Sequence, residues 1–83
     1  MDKQVIVYTQ PNCFYCKKLK EFLGQKGISY SEKDVAQDLQ AYEELAATGH
    51  MSTPLTKIDG EIVVGFDRKK LETLLGLVVS SII

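Results

Sequence analysis

The two cysteines of this chain are separated by two residues, in Cys13-Phe14-Tyr15-Cys16. A disulfide between them closes so short a loop that it would restrain little unfolded-state entropy, which makes it a poor structural staple. Chemistry is the better use. Pro11 and Asn12 precede the pair and a helical pattern follows it, so the first sulfur belongs at a helix N-terminus. Unpaired backbone N–H groups and the positive end of the helix dipole meet there, and both stabilise a thiolate. Such sites lower a cysteine pKa from about 8.5 to roughly 3.5–7.5, and Lys17 and Lys18 add positive charge nearby. Cys16, one turn further in, falls on the same side as Leu19 and Leu23 and is expected to be buried and protonated at rest. Cys13 and Cys16 are therefore the expected catalytic pair, with Cys13 attacking and Cys16 resolving. A zinc site is the competing account, but a closed site needs four ligands and His50 is the one histidine to add. Carboxylates or a second subunit would have to complete it, and no metal is expected. An inert structural pair fits poorly with a helix N-terminus.

The elements that must hold this pair follow from periodicity. Val5-Ile6-Val7-Tyr8 is a continuous β-branched and aromatic run, the pattern of a strand covered on both faces. Cys16, Leu19, Phe22 and Leu23 then recur at helical spacing, with Lys17, Lys18, Lys20, Glu21 and Lys26 on the other side. Asn12 or Cys13 would cap this helix and Gly27 would end it. Ile28-Ser29-Tyr30-Ser31 alternates as a second strand, and strand, helix, strand in about thirty residues makes a parallel pair with a right-handed crossover. Asp34 with Gln37 resembles a capping box opening a second helix, whose inner stripe would be Val35, Leu39, Tyr42, Leu45 and Ala46 and whose end would be Gly49. Leu55–Ile58 and Glu61–Val64, joined by Asp59-Gly60, read as a type I′ hairpin. Asp67 would cap a last helix with Leu71, Leu74, Leu75 and Val78 inward. The order β-α-β-α-β-β-α is that of the minimal thioredoxin fold, an α/β architecture with a four-stranded mixed sheet and helices on both faces.

Composition bounds what else the chain can be. Residues 1–83 are expected to form one domain, because so short a chain has no room for a second core. A net charge of −1 lacks the basic excess that a nucleic-acid or membrane-surface partner would want. The apolar run before Tyr8 is too short for a signal-peptide core or a transmembrane span, and two closely spaced cysteines suit a reducing cytoplasm. The tail, residues 77–83, is unexpectedly apolar for a terminus. It would extend the last helix or pack across the sheet edge, or else offer a partner contact. His50, beside Gly49, reads as a solvated loop residue.

Three segments together resemble the glutaredoxin family over most of the chain, up to about Leu75. Tyr8-Thr9-Gln10-Pro11-Asn12-Cys13-Phe14-Tyr15-Cys16 resembles the family's approach to its Cys-Pro-Tyr-Cys motif, Ser52-Thr53-Pro54 its Thr-Val-Pro segment, and Gly65-Phe66-Asp67 its glycine-and-aspartate segment before the last helix. The resemblance implies a thiol–disulfide oxidoreductase acting on protein disulfides or glutathione mixed disulfides. It implies a cis Pro54 beside the cysteines, with the main chain of Thr53 pairing strand-fashion with the substrate. It also implies that Gly65, Asp67 and the adjoining helix end hold the γ-glutamyl part of glutathione, and that Tyr15 flanks the bound thiol. No cofactor is required, since the sulfur pair carries the electrons, and glutathione is the implied reductant. Departures point elsewhere as well. Phe14 replaces the motif's proline, Gln10 stands where many members have a lysine, and Val64-Gly65-Phe66 replaces a Gly-Gly-small sequence. The Gly-Phe pair is similar to that of glutaredoxin-like electron donors of ribonucleotide reductase, which are reduced by thioredoxin reductase. An iron–sulfur carrier, with Cys13 of two subunits and glutathione around a cluster, is a further alternative. The expected partners are glutathione or thioredoxin reductase and disulfide-bearing proteins, acting on a monomer.

Overall fold

The structure, a computed structural model, describes residues 3–76. The chain runs β1 (Val5–Thr9), α1 (Phe14–Gln25), β2 (Ser31–Asp34), α2 (Leu39–Ala47), β3 (Leu55–Ile58), β4 (Glu61–Val64) and α3 (Arg68–Leu75). Its strands form one mixed sheet in the order β2-β1-β3-β4. β1 is parallel to β2 and antiparallel to β3, and β3 is antiparallel to β4. This is the minimal thioredoxin fold. The apolar tail and Val78 lie outside the described residues.

Alternation along the strands divides the core in two. Val5, Val7, Ile58 and Val63 point to one face and are covered by Leu19, Phe22 and Leu23 of α1 and Leu71 of α3. Tyr8 and Leu55 point to the other and are covered by Ala41 and Leu45 of α2. β1 needs its unbroken apolar run because both of its sides are buried. The hairpin turn has Asp59 at φ 49° and Gly60 at φ 90°, the two positive values that a type I′ turn demands.

Two elements are displaced from the sequence-based expectation. β2 is Ser31–Asp34, not Ile28–Ser31. Ile28 and Tyr30 do pack against the core, but from the connection that brings the chain back from α1 to the sheet. The ladder itself falls on Ser31-Glu32-Lys33-Asp34, because β2 is an edge strand, where charged side chains reach water and discourage pairing with another chain. α2 begins at Leu39, capped by Asp38, whose Oδ1 accepts from the N–H groups of Gln40 (3.0 Å) and Ala41 (3.3 Å). Asp34 instead closes a separate turn by accepting from the Ala36 N–H at 2.8 Å. The later start changes the buried stripe to Ala41 and Leu45, leaving Leu39 70% and Tyr42 46% exposed and Ala46 outside. Alanine at the contact lets the helix approach the sheet closely, which a bulkier stripe would prevent.

A polar network ties α2 to the sheet. Glu44 accepts hydrogen bonds from the Lys33 ammonium (2.9 Å) and from the hydroxyl of the buried Tyr8 (2.8 Å). Lys33 above all, with Tyr8 second, holds the Glu44 carboxyl below the usual carboxylate range. Burial, reinforced by Glu44, pushes the Tyr8 hydroxyl up to about 12. On β2, the Lys20 ammonium likewise holds Glu32 low, helped by a hydrogen bond from the Thr9 hydroxyl.

The position of α2 predicts that Leu45→Ala lowers stability by about 2–5 kcal/mol, a buried large-to-small change. Leu39→Ala is expected to change it by less than about 0.5 kcal/mol. Urea midpoints measure both, and the opposite ranking would place the helix in another phase. Glu32 and Glu44 generate a pH prediction. A carboxylate depressed by folding stabilises the native state above its unfolded pKa, about 4.3 for Glu, and loses that contribution as pH falls through the lower native value. Stability should therefore decline on acidification below about pH 4.5, and less steeply in Glu32→Gln/Glu44→Gln. An equally steep acid limb in that variant, by urea titration at several pH values, would show that other groups carry the linkage.

Candidate active site

The first part of the site is made by the exit from β1. After Thr9 the chain turns through Gln10-Pro11-Asn12, with Asn12 at φ 60°, a left-handed conformation that asparagine tolerates better than most residues. That turn leaves Cys13, rather than Asn12, as the N-cap of α1. The Cys13 Sγ accepts the Cys16 N–H at 3.1 Å, so a backbone donor of the helix end is aimed at this sulfur. Cys13 and Cys16 form a disulfide across a Cα–Cα distance of 5.2 Å. Cys16 is 2% exposed, as its place in the inner stripe of α1 requires, whereas Cys13 is partly open. Phe14 and Tyr15, between them, are exposed and meet edge to face at 5.2 Å.

Strand register brings up the other parts. Tyr8 pairs with Leu55 and Leu55 with Val64, so the start of β3 and the end of β4 lie at the same edge as the exit from β1. The Thr53–Pro54 bond there is cis. The Thr53 carbonyl oxygen is 3.8 Å from the Cys13 Sγ and its hydroxyl 4.0 Å from the same sulfur. In the disulfide Cys13 has no proton to donate, so the first distance is a contact; the reduced thiol would have an acceptor in that carbonyl. The Gly65 N–H donates to the Pro54 carbonyl at 2.8 Å, which holds the β4 exit against the proline.

Two open grooves adjoin the Cys13-Phe14-Tyr15-Cys16 segment. One, of about 400 Å³, is lined by Tyr15, Thr53, Pro54, Gly65 and Phe66. It gathers four of the five binding residues expected from the sequence. Asp67, the fifth, is not in its wall; it caps α3, accepting the Lys70 N–H at 3.1 Å. The second groove, of about 640 Å³, lies across the cysteines, with Gln10, Lys17, Glu32 and Asp34 among its walls. The Thr9–Glu32–Lys20 chain of hydrogen bonds forms part of this wall, at 2.9 Å for each link. Sequence reasoning passed over these three residues, since Glu32 was expected beyond the end of β2. The signal that would have found them was Thr9, a polar residue continuing an apolar strand. His50 stands in an exposed loop. Among the described residues no three His, Cys, Asp or Glu side chains are grouped as a metal site would need.

A disulfide seated at a helix N-terminus on this frame makes the protein a thiol–disulfide oxidoreductase of the thioredoxin fold. Within that class it belongs to the glutaredoxin family, whose model matches residues 5–63. The chain is 37% identical over 70 residues to an uncharacterized glutaredoxin-like 8.6 kDa protein of the rubredoxin operon of Clostridium pasteurianum, covering 83% of this chain and 93% of that one. It is 27% identical over 70 residues to the glutaredoxin-like protein NrdH of Lactococcus lactis, covering 84% and 97% respectively. The crystal structure of the thioredoxin-like protein BC3987 superposes with a TM-score of 0.83 at 44% identity, over 87% of this chain and all (100%) of that one.

The unequal burial of the two sulfurs predicts unequal reactivity. After reduction, iodoacetamide at pH 6 should label Cys13 well before Cys16, as read by mass spectrometry of proteolytic fragments. Faster labelling of Cys16 would overturn the assignment of the exposed sulfur as the nucleophile.

Proposed function

We propose that the protein reduces protein disulfides and glutathione mixed disulfides through a mixed disulfide on Cys13, and that glutathione re-reduces it in a reducing cytoplasm. One observation carries this reading: Cys13 Sγ sits 3.8 Å from the carbonyl of Thr53, a residue that lines the groove together with Tyr15, Pro54 and Gly65. The Cys13 thiolate attacks one sulfur of the substrate disulfide and displaces the other as a thiolate, which takes up a proton. Cys16 then loses its proton and attacks Cys13 Sγ, releasing the second substrate thiol and forming the Cys13–Cys16 disulfide. Two electrons pass to the substrate. One glutathione reopens that disulfide as a Cys13 mixed disulfide, and a second leaves with the first as oxidised glutathione. No prosthetic group takes part.

The main chain of Thr53 would pair with the backbone beside the reacting sulfur, as an added strand does at a sheet edge. Tyr15 and Pro54 would flank that sulfur, and Gly65 with Asp67 and the α3 N-terminus would receive the γ-glutamyl group. Phe66 leaves room for it, because its ring packs edge to face on Phe22 at 5.8 Å and is partly sunk into the core. Gln10 forgoes an ion pair with the glycyl carboxylate, which weakens binding by only ~0–1 kcal/mol at an exposed position. A second reading, electron donation to ribonucleotide reductase with reduction by thioredoxin reductase, is favoured by the Gly65-Phe66 pair and by the NrdH relative. A cluster carrier finds less support, since the chain's two cysteines are bonded to each other and a cluster would have to recruit ligands from a second copy and from glutathione.

Oxidised protein should be reduced by millimolar glutathione, followed by thiol titration, and reduced more slowly by NADPH with thioredoxin reductase. Rapid turnover with the reductase and none with glutathione would exchange the first reading for the second. Cys13→Ser should abolish exchange, and Cys16→Ser should retain part of the activity on glutathione mixed disulfides.

A further inference from the structure

The net charge of −1 conceals a separation of charge across the sheet. From Asp34 to Thr56 the chain has no lysine or arginine, but it has Asp34, Asp38, Glu43 and Glu44, and the two cations that reach this face from the flanking strands, Lys33 on Glu44 and Lys57 over the Tyr8 ring, offset only part of that charge. This stretch contains α2, which covers one face. The other face is covered by α1 and α3. There, Lys17, Lys18, Lys20 and Lys26 stand on or at the end of α1, and Arg68, Lys69 and Lys70 open α3. Against these cations the same segments set Glu21, Asp67 and Glu72, and Lys20 is paired with Glu32 of β2.

Part of this basic face is concave. A groove of about 280 Å³ between α1 and the start of α3 is walled by Lys18, Lys26 and Arg68 over Phe22 and Phe66, with Glu21 its one carboxylate. The cations are held by aromatic rings: Lys26 Nζ is 5.8 Å and Arg68 Cζ 5.5 Å from the Phe22 centroid, and Lys18 Nζ is 5.4 Å from that of Phe14. A cation over a ring face keeps N–H donors free for an anion, and the ring restricts its motion. Arg68 has one further partner, Glu72, at a loose 3.8 Å. Phe66 also lines the groove that holds Tyr15, Thr53 and Pro54, so it is shared by the two grooves. A chain whose cysteine lies at Thr53–Pro54 can pass Phe66 and continue between Lys18, Lys26 and Arg68.

We infer that the protein substrate carries an acidic segment beside its reactive cysteine, and that this segment lies in the α1–α3 groove. The inference rests on the reading of Cys13 as the attacking sulfur and names the substrate class for that site. Orientation adds to it: an acidic partner is drawn to the α1–α3 face and repelled by the α2 face, which speeds productive encounter at low salt.

The test uses dithiothreitol-reduced, desalted protein in single turnover. Substrates are a disulfide-bridged peptide with three Glu residues next to one cysteine, its Gln counterpart, and bis(2-hydroxyethyl) disulfide as a small neutral control. The Glu peptide should react about tenfold faster than the Gln peptide at low salt, and the advantage should vanish in 0.5 M NaCl, where screening is nearly complete (about 4 Å). Lys26→Glu should lose the same advantage and reduce the neutral disulfide at the wild-type rate, which also reports that the variant is folded. Equal wild-type rates on the two peptides, with the neutral disulfide reduced, would overturn this inference alone. A variant that slows oxidised glutathione as much as the Glu peptide would overturn it too, by giving the groove to the small thiol's carboxylates. Failure of the wild type on every substrate would remove the exchange reading and this one with it.

Discussion

The pairing of β3 with a strand on either side is the constraint from which the site follows. β3 is antiparallel to both β1 and β4, so its beginning faces the end of each. Leu55 is the common point, opposite Tyr8 on one side and Val64 on the other. Whatever precedes β3 must then stand beside whatever follows β1 and β4. Those three pieces are the Thr53–Pro54 bond, the cysteine turn and Gly65. A shift of register by one residue would turn Leu55 and Ile58 out of their respective cores and carry Thr53 away from Cys13 at the same time. The core therefore protects the geometry of the site, and Cys16 is the one member of the cysteine pair that is buried with it.

Cys13 shows the same economy on a smaller scale. A helix N-terminus has backbone N–H groups to satisfy, and Ser, Thr, Asp or Asn usually does so. Here sulfur accepts the Cys16 N–H, so the group that closes the helix is also the one we propose as the nucleophile. A thiolate formed there on reduction would be a better acceptor still, because it carries the charge that a helix N-terminus favours. Cys16 has the opposite surroundings, with Leu19 and Leu23 on its side of α1 and almost no exposed surface. The asymmetry of the pair comes from where the first helix starts and which side it buries.

Legibility in the sequence followed how far each element depends on distant partners. β1, α1 and the hairpin were readable, because their own residues settle periodicity, cap and turn. β2 was misplaced because the best alternating segment, around Ile28 and Tyr30, packs from a connection while an edge ladder can be entirely polar. The phase of α2 was misread because two aspartates four residues apart both make local side-chain-to-backbone bonds, and a nine-residue helix offers too few turns to reveal which one starts it. The cysteines were visible from spacing alone, whereas the proline segment and the Gly65 region came from family resemblance. Thr9, Glu32 and Lys20 were not visible, since the Thr9–Glu32 bond joins residues 23 apart through a strand pairing. A sum of charges over the chain, likewise, carries no information on which face each charge lies.

Phe66 links stability to the choice of substrate. Its ring rests on Phe22 in the core, and the residue lines both the groove beside Pro54 and the cationic one. Phe22 in turn carries Lys26 and Arg68 over its faces. A smaller side chain at position 66 would widen the space available to a ligand, but it would also remove an aromatic contact worth about 0.5–1.5 kcal/mol beyond area burial and loosen the ring on which the cations sit. In a domain of this size that is a substantial part of the whole stability. The groove and the core cannot be tuned separately at this position, so the phenylalanine is held in place by packing as much as by any ligand.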